Sequence, residues 1–198
     1  MDTSLISATV ILLLVMDPIG NIPLFVSLMR NVRRARRTRV ILRECCIAYA
    51  VLLVFAFFGR PILSVLGLSD SSLSIAGGVI LFLIALRMIF RHPEGILGDP
   101  VEGEPFIVPL AIPAIAGPAA IAAVMLMVSR APERLMEWCL ALTVAMLVTV
   151  ALLLSADRVS RLAGKQGLLA FERLMGLILT AIAIEMLLGG IQTFVRGL

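Results

Sequence analysis

Asp17 is a carboxylate set where a membrane span should be driest. It lies in Met16-Asp17-Pro18-Ile19-Gly20-Asn21-Ile22-Pro23, inside an apolar segment running from about Leu5 to Met29. A segment that long can cross a bilayer as a helix, and a charge at its centre costs about 2.5–3.5 kcal/mol on insertion scales. Pro18 and Pro23 each remove a backbone donor and crowd the preceding turn, so the helix is expected to break or kink here. Irregular backbone at membrane depth survives only where protein or a water-filled cavity satisfies it. Asp17 is therefore expected to face an interior site rather than lipid. The competing reading is a structural kink that holds a buried, hydrogen-bonded Asp17.

A second interrupted segment follows the same pattern. Pro105-Phe-Ile-Val-Pro109-Leu-Ala-Ile-Pro113-Ala-Ile-Ala-Gly117-Pro118 again places prolines and a glycine inside an apolar stretch. Each break frees the N–H groups of the half-helix that follows, and the helix dipole puts roughly half a positive charge at that end. Pro18 or Pro23, and Pro118, suit the first turn of such half-helices, where a missing N–H does no harm. Gly20 and Gly117 let backbone approach a ligand without an intervening side chain. The candidate substrate-binding set is thus Asp17, Pro18, Gly20, Asn21, Pro23, Pro113, Gly117 and Pro118.

The two segments differ chemically. Asp17 matches Ile112 and Asn21 matches Ala116, so polar side chains come only from the first. That suits a zwitterion, with amide donors on its carboxylate and Asp17 or freed carbonyls on its ammonium or a cation. Equally, Asp17 could titrate as the coupling-proton site without touching substrate. Asn21 could instead cap its own half-helix. Arg43-Glu44 and Glu172-Arg173 sit near expected cytoplasmic span ends, where side chains can snorkel, and are read as structural. Arg87 and Glu185 occupy matching repeat positions near opposite surfaces, which argues against their pairing. Gly77, Gly78, Gly176, Gly189 and Gly190 are expected to permit close helix packing.

The elements that must position these residues are membrane helices. Hydrophobic residues make up 61% of 198 positions and the mean hydropathy is +1.09, outside the range of soluble domains. The start lacks the basic region of a cleaved signal, so the first apolar segment is expected to remain. Six spans are predicted, at about 4–29, 40–58, 71–90, 105–128, 134–155 and 168–190. The segments 61–68 and 157–164 are too short to span, and either could be a short interfacial helix. The first connection carries Arg30, Arg33, Arg34, Arg36, Arg37, Arg39 and Arg43, a density expected on the cytoplasmic side. With that loop inside, every one of the 17 Lys and Arg residues except Arg60, Arg130, Arg134 and Arg196 falls on inside positions. Both termini are then outside.

The gly- and pro-rich stretch 91–104 reads as a cytoplasmic linker between residues 1–90 and 105–198. Across it the chain repeats. Pro18 and Pro23 recur as Pro113 and Pro118, Glu44 and Cys46 as Glu137 and Cys139, and Gly78 to Met88 as Gly176 to Met186. Three spans per copy force opposite orientations, so the fold class expected is all-α, two inverted three-helix repeats with helices 1 and 4 interrupted. Cys45, Cys46 and Cys139 lie in apolar helices and read as packing residues rather than a disulfide framework.

Three stretches also carry a family resemblance: Asp17-Pro18-x-Gly20-Asn21-x-Pro23, Pro109-Leu-Ala-Ile-Pro113-x-x-x-Gly117-Pro118, and Glu172-Arg173-Leu-Met-Gly176-Leu-Ile-Leu. In these the chain resembles the MarC-related family of bacterial and archaeal inner-membrane proteins, over nearly its whole length. The resemblance implies a six-span inner-membrane protein of a class that moves small neutral amino acids. A proton- or Na⁺-coupled secondary transporter is the leading expectation. A channel or facilitator comes second, and a non-transporting scaffold or lipid-interacting protein third. Membrane lipid and a small neutral solute are the expected partners, nucleic acid is not, and an oligomer is compatible with the sequence. An enzyme is not expected, and no cofactor: there is no Ser-His-Asp set, no His/Cys metal cluster and no Gly-rich phosphate loop.

Overall fold

A computed structural model describes residues 4–29, 32–65, 67, 69–90 and 110–196. The expected linker at 91–104 and the side chains of Pro23, Arg87, Pro113 and Glu172 lie outside the described residues. Among those described, every regular element is helical.

Helix α1 (Leu5–Met16) starts at Ser4, whose side chain accepts the Ser7 N–H, and stops at Asp17 in the left-handed region, φ 41° and ψ 60°. A turn through residues 18–21 leads into α2 (Ile22–Leu28). Twelve residues of α1 rise only about 18 Å, short of a hydrocarbon core of about 30 Å, so α1 is too short to cross it alone. Helix α3 (Arg34–Val65) begins six residues before the expected start at position 40, because the Arg-rich connection winds into its first turns. It also runs on through Pro61 to Val65, so residues 61–65 of the segment 61–68 belong to α3 and not to a separate interfacial helix. Pro61 forfeits the bond to the carbonyl four residues back.

Helix α4 (Asp70–Ile89) is capped by Ser69 on the Ser72 N–H. In the second proline-interrupted segment a π-helical turn (Leu110–Ile115) is followed by α5 (Pro118–Arg130). A short 3₁₀ turn (Pro132–Arg134) joins α6 (Leu135–Leu154). Helix α7 (Ala156–Arg196) is divided at Gly164, whose φ 63° and ψ 176° set apart the short stretch before it. By length and composition three segments among the described residues can cross a membrane: Arg34–Gly59, Pro132–Leu154 and Leu169–Arg196. Leu5–Met16, Ser71–Leu86 and Pro118–Arg130 are shorter and apolar.

α4 and α7 form the most extensive helix pair, and they run antiparallel. The Cβ position of Gly190 would lie 3.1 Å from the Ser71 carbonyl oxygen, that of Gly78 2.9 Å from the Ala183 oxygen, and that of Gly176 3.0 Å from the Ala85 oxygen. Only glycine allows backbones this close. The Ser74 hydroxyl donates to the Met186 carbonyl at 2.8 Å across the same seam. Gly77 meets Ala122 of α5, whereas Gly189, also expected at a close contact, has its nearest neighbour 4.0 Å away at Arg130.

The larger core joins α1, α2, α3, the π turn, α5 and α6 through Leu12, Phe25, Leu52, Leu110, Ile115 and Leu142. Within it α1 lies on α6, and α3 lies on both α6 and the π turn. The hydroxyls of Tyr49 and Thr143 share a 2.7 Å hydrogen bond between α3 and α6. Large apolar side chains such as Phe57, Phe58, Leu83, Leu147, Leu177 and Leu188 are exposed, as expected where the surrounding solvent is lipid.

Candidate functional site

The two interruptions meet. The Asn21 side-chain amide donates to the Met16 carbonyl at 3.0 Å and to the Ala114 carbonyl at 2.9 Å. Met16 ends α1, and Ala114 lies in the π turn before α5, so one side chain ties together carbonyls released by both breaks. Buried backbone carbonyls need partners, and a two-donor amide is the smallest side chain that can serve two of them.

The breaks also correspond. Asp17 leaves the helical region at φ 41°, ψ 60°, and Ile112 at φ −130°, ψ 126°. These are the residues matched by the 95-residue spacing of the paired prolines. Around Ile112 the Ala116 N–H reaches back five residues to the Ala111 carbonyl at 2.9 Å, the widened turn that proline at 113 forces.

Asp17 is buried, 8% exposed, and its Oδ1 accepts the Gly20 N–H at 3.0 Å. This is an N-cap bond: Pro18 takes the first position of the new turn, where its missing N–H costs nothing, and Gly20 supplies the donor at the third. Any Cβ on Gly20 would collide with the Asp17 carboxylate, 2.7 Å from its Cγ. Glycine at position 20 thus makes room for a side chain of its own chain. Pro18 and Gly20 are buried and Asn21 is half-buried.

The second half-helix starts differently. Gly117 is the N-cap of α5 at φ −76°, ψ 164°, with no side-chain cap bond, and Pro118 is at the first helical position and exposed. The Ile121 N–H reaches the Gly117 carbonyl at 3.0 Å. The turn leading into α2 is therefore capped by a carboxylate at Gly20, two residues before α2 begins, and the head of α5 by no side chain. Pro23 falls in the first turn of α2 and Pro113 inside the π turn. Among the described residues no cluster of three or more His, Cys, Asp or Glu could hold a metal ion.

Glu44 departs from expectation. Its side chain is fully buried, and Arg43 Nε and Nη2 contact its Oε1 at 2.9 and 2.8 Å. It sits ten residues into α3, and its burial against neighbouring helices, not its distance from the helix start, keeps it from the surface. It shares the inward stripe of Ile41, Cys45, Ala48 and Leu52, a helical spacing that carries the signal in the sequence.

Comparison with known proteins decides the family. The family described as MarC family integral membrane protein matches residues 3–195. The chain belongs to the MarC family. Among its relatives, the UPF0056 inner membrane protein YhgN of Escherichia coli (strain K12) is 45% identical over 194 residues, covering 98% of both chains. A UPF0056 membrane protein of Buchnera aphidicola subsp. Schizaphis graminum is 42% identical over 193 residues, covering 98% of both. One from the archaeon Methanocaldococcus jannaschii is 36% identical over 186 residues, 90% of this chain and 91% of its own. No solved structure matches. The MarC assignment makes the apolar helices those of an integral membrane protein, and the Asn21–Ala114 junction a feature of its interior.

Proposed function

We propose that this MarC-family chain is a secondary transporter of small polar solutes, in particular neutral amino acids, that works by alternating access. The observation that carries this reading is the junction itself: two interrupted helices, broken at matched residues, with Asn21 bridging the carbonyls at both breaks. Interrupted helices at corresponding places in two halves are the plan of secondary transporters with inverted repeats. Six spans in two inverted halves are part of the proposal, and the antiparallel α4–α7 seam supports it. So does the contact of α2 with α7 and, correspondingly, of α5 with α4.

The head of α5, with no side chain capping it, suits a substrate carboxylate. Asp17 and the carbonyls beside it suit an ammonium, a proton or Na⁺. The relatives named as inner membrane proteins favour the same membrane for this chain, with the Arg-rich connection inside and both termini outside. A second reading, an uncoupled facilitator, is favoured by the Asp17–Gly20 bond, which gives the carboxylate a local role apart from coupling.

The test is uptake into proteoliposomes holding the purified protein, screened over small neutral amino acids under imposed pH and Na⁺ gradients. Accumulation above the external concentration, dependent on one gradient, is the expected result. Equilibration without accumulation favours the facilitator. No flux of any neutral amino acid under either gradient removes the reading.

A further inference from the structure

Away from the junction, α2, α3, α6 and α7 enclose a cavity of about 200 Å³. Its floor is apolar, formed by the buried side chains of Phe25, Met29 and Leu153. Its wall carries Arg34, Arg37, Asp157 and Arg161, three positive charges against one negative. Arg37 is the fixed member: its Nη1 lies 3.2 Å from Asp157 Oδ2, and its Nε donates to the Val32 carbonyl at 3.2 Å. That ion pair clamps the start of α3 to the start of α7. Arg34 stands one turn before Arg37 on α3, and Arg161 one turn after Asp157 on α7, both exposed.

The cavity also has an apolar exit. Leu154 lines it and is itself exposed, at the end of an exposed stripe on α6 formed by Leu140, Val144, Leu147 and Val148. A cationic pocket thus opens directly onto a face of the kind lipid tails cover.

We propose that this cavity holds the phosphate headgroup of an anionic lipid, with the acyl chains lying along the α6 stripe. Guanidinium groups bind phosphate oxygens in bidentate fashion, and two arginines facing each other across a pocket can share one phosphate. Basic pockets between membrane helices at an anionic leaflet are sites for such headgroups. The volume lies below the roughly 300–1,000 Å³ of a pocket that engulfs a whole small-molecule ligand, and it suits a headgroup whose tails remain outside. The continuous apolar stripe selects a lipid over a soluble phosphate ester. This site is separate from the Asp17–Asn21 junction and does not rest on the transport reading.

The experiment is native mass spectrometry of the delipidated full chain in detergent. Phosphatidylglycerol, phosphatidylcholine and glycerol 3-phosphate are added in separate arms. The unmodified chain should retain phosphatidylglycerol in preference to both other probes. Arg34→Gln with Arg161→Gln should lower that retention about thirtyfold, the effect of two arginines at an anionic surface. Arg39→Gln with Arg158→Gln removes the same charge from the same helices outside the cavity, and should retain the lipid as the unmodified chain does. Equal losses in the two double variants would reduce the effect to the general field and overturn the site. Phosphatidylcholine held as well as phosphatidylglycerol would do the same. Glycerol 3-phosphate bound as tightly as the lipid, and lost with Arg34 and Arg161, would replace the lipid with a soluble phosphate and overturn the proposal as stated.

Discussion

Gly78 lies directly beneath the backbone carbonyl of Ala183, its Cβ position 2.9 Å from the oxygen. The reciprocal contact also exists, with Gly176 beneath the carbonyl of Ala85 at 3.0 Å. Gly78 and Gly176 are matched across the chain by the same 98-residue spacing that matches Ala85 with Ala183. A contact in which each member meets the counterpart of the other's partner is the signature of a two-fold relation between the surfaces.

The first prediction follows from that seam. In Gly78→Ala the new methyl would press on the Ala183 carbonyl and, at 3.1 Å, on the Leu187 nitrogen, both backbone atoms that cannot rotate away. Forcing α4 from α7 should destabilise the protein by about 1–3 kcal/mol. Gly189→Ala is the control: its nearest neighbour is 4.0 Å away, and alanine in place of glycine favours a helix by about 0.5–1 kcal/mol. Unfolding of both variants in detergent by denaturant titration makes the comparison. Equal stability of the two would mean the seam yields freely.

Asn21 gives the second. Asn21→Ala removes both amide bonds and strands the Met16 and Ala114 carbonyls, each at a cost of about 1–3 kcal/mol if buried and unmet. A loss of about 2–4 kcal/mol is expected. Asn21→Asp should be no better, since a carboxylate has no donor to offer either carbonyl. Denaturant midpoints read the effect, and a change under about 0.5 kcal/mol in the alanine variant would show that the breaks stay together without the amide.

Much of this architecture is legible in the sequence, and the reasons are local. Proline and glycine act on their own backbone, so Pro18, Pro113, Gly117 and Pro118 mark where the helices break before any neighbour is known. Apolar length and the spacing of glycines act similarly for the spans and for Gly78 and Gly176. Partner identity is what the sequence withholds. The carbonyl of Ala114 looks like every other carbonyl until folding brings it to Asn21. Gly20 suggests room for a ligand, and only the structure gives that room to the Asp17 carboxylate. Glu44 reads as a residue that could reach water, because only the packing of other helices on the Ile41, Cys45, Ala48 and Leu52 face buries it. For the same reason the cavity at Arg34, Arg37 and Arg161 is visible in sequence only as charge density. Its apolar floor comes from α2 and α6.

Orientation supplies the third prediction. After replacement of Cys45, Cys46 and Cys139, a cysteine at position 36, as Arg36→Cys, should react in whole cells only with a membrane-permeant thiol reagent. One at position 132, as Pro132→Cys, should react with an impermeant reagent. The basis is the concentration of arginine in the first connection. The reverse labelling pattern would turn the whole protein over in the membrane.

The fourth prediction separates the two uses of Asp17, cap and coupling site. The cap needs only an acceptor oxygen for the Gly20 N–H at 3.0 Å, and asparagine supplies one. Coupling needs a group that can carry charge or take up a proton, and asparagine cannot. Asp17→Asn should therefore remain folded and inserted under either role, while only the coupling role makes it lose gradient-driven uptake. Asp17→Ala removes the acceptor as well and should lose about 0.5–2 kcal/mol of stability whichever role is correct. Gradient-driven uptake and denaturant stability measured on both variants divide the outcomes. Folded Asp17→Asn protein without accumulation, but with intact exchange of substrate down its own gradient, assigns Asp17 to the coupling ion or proton. Loss of exchange as well assigns it to the substrate ammonium. Normal accumulation by Asp17→Asn would leave Asp17 as a cap alone and move the coupling, if any, to another buried acid such as Glu44.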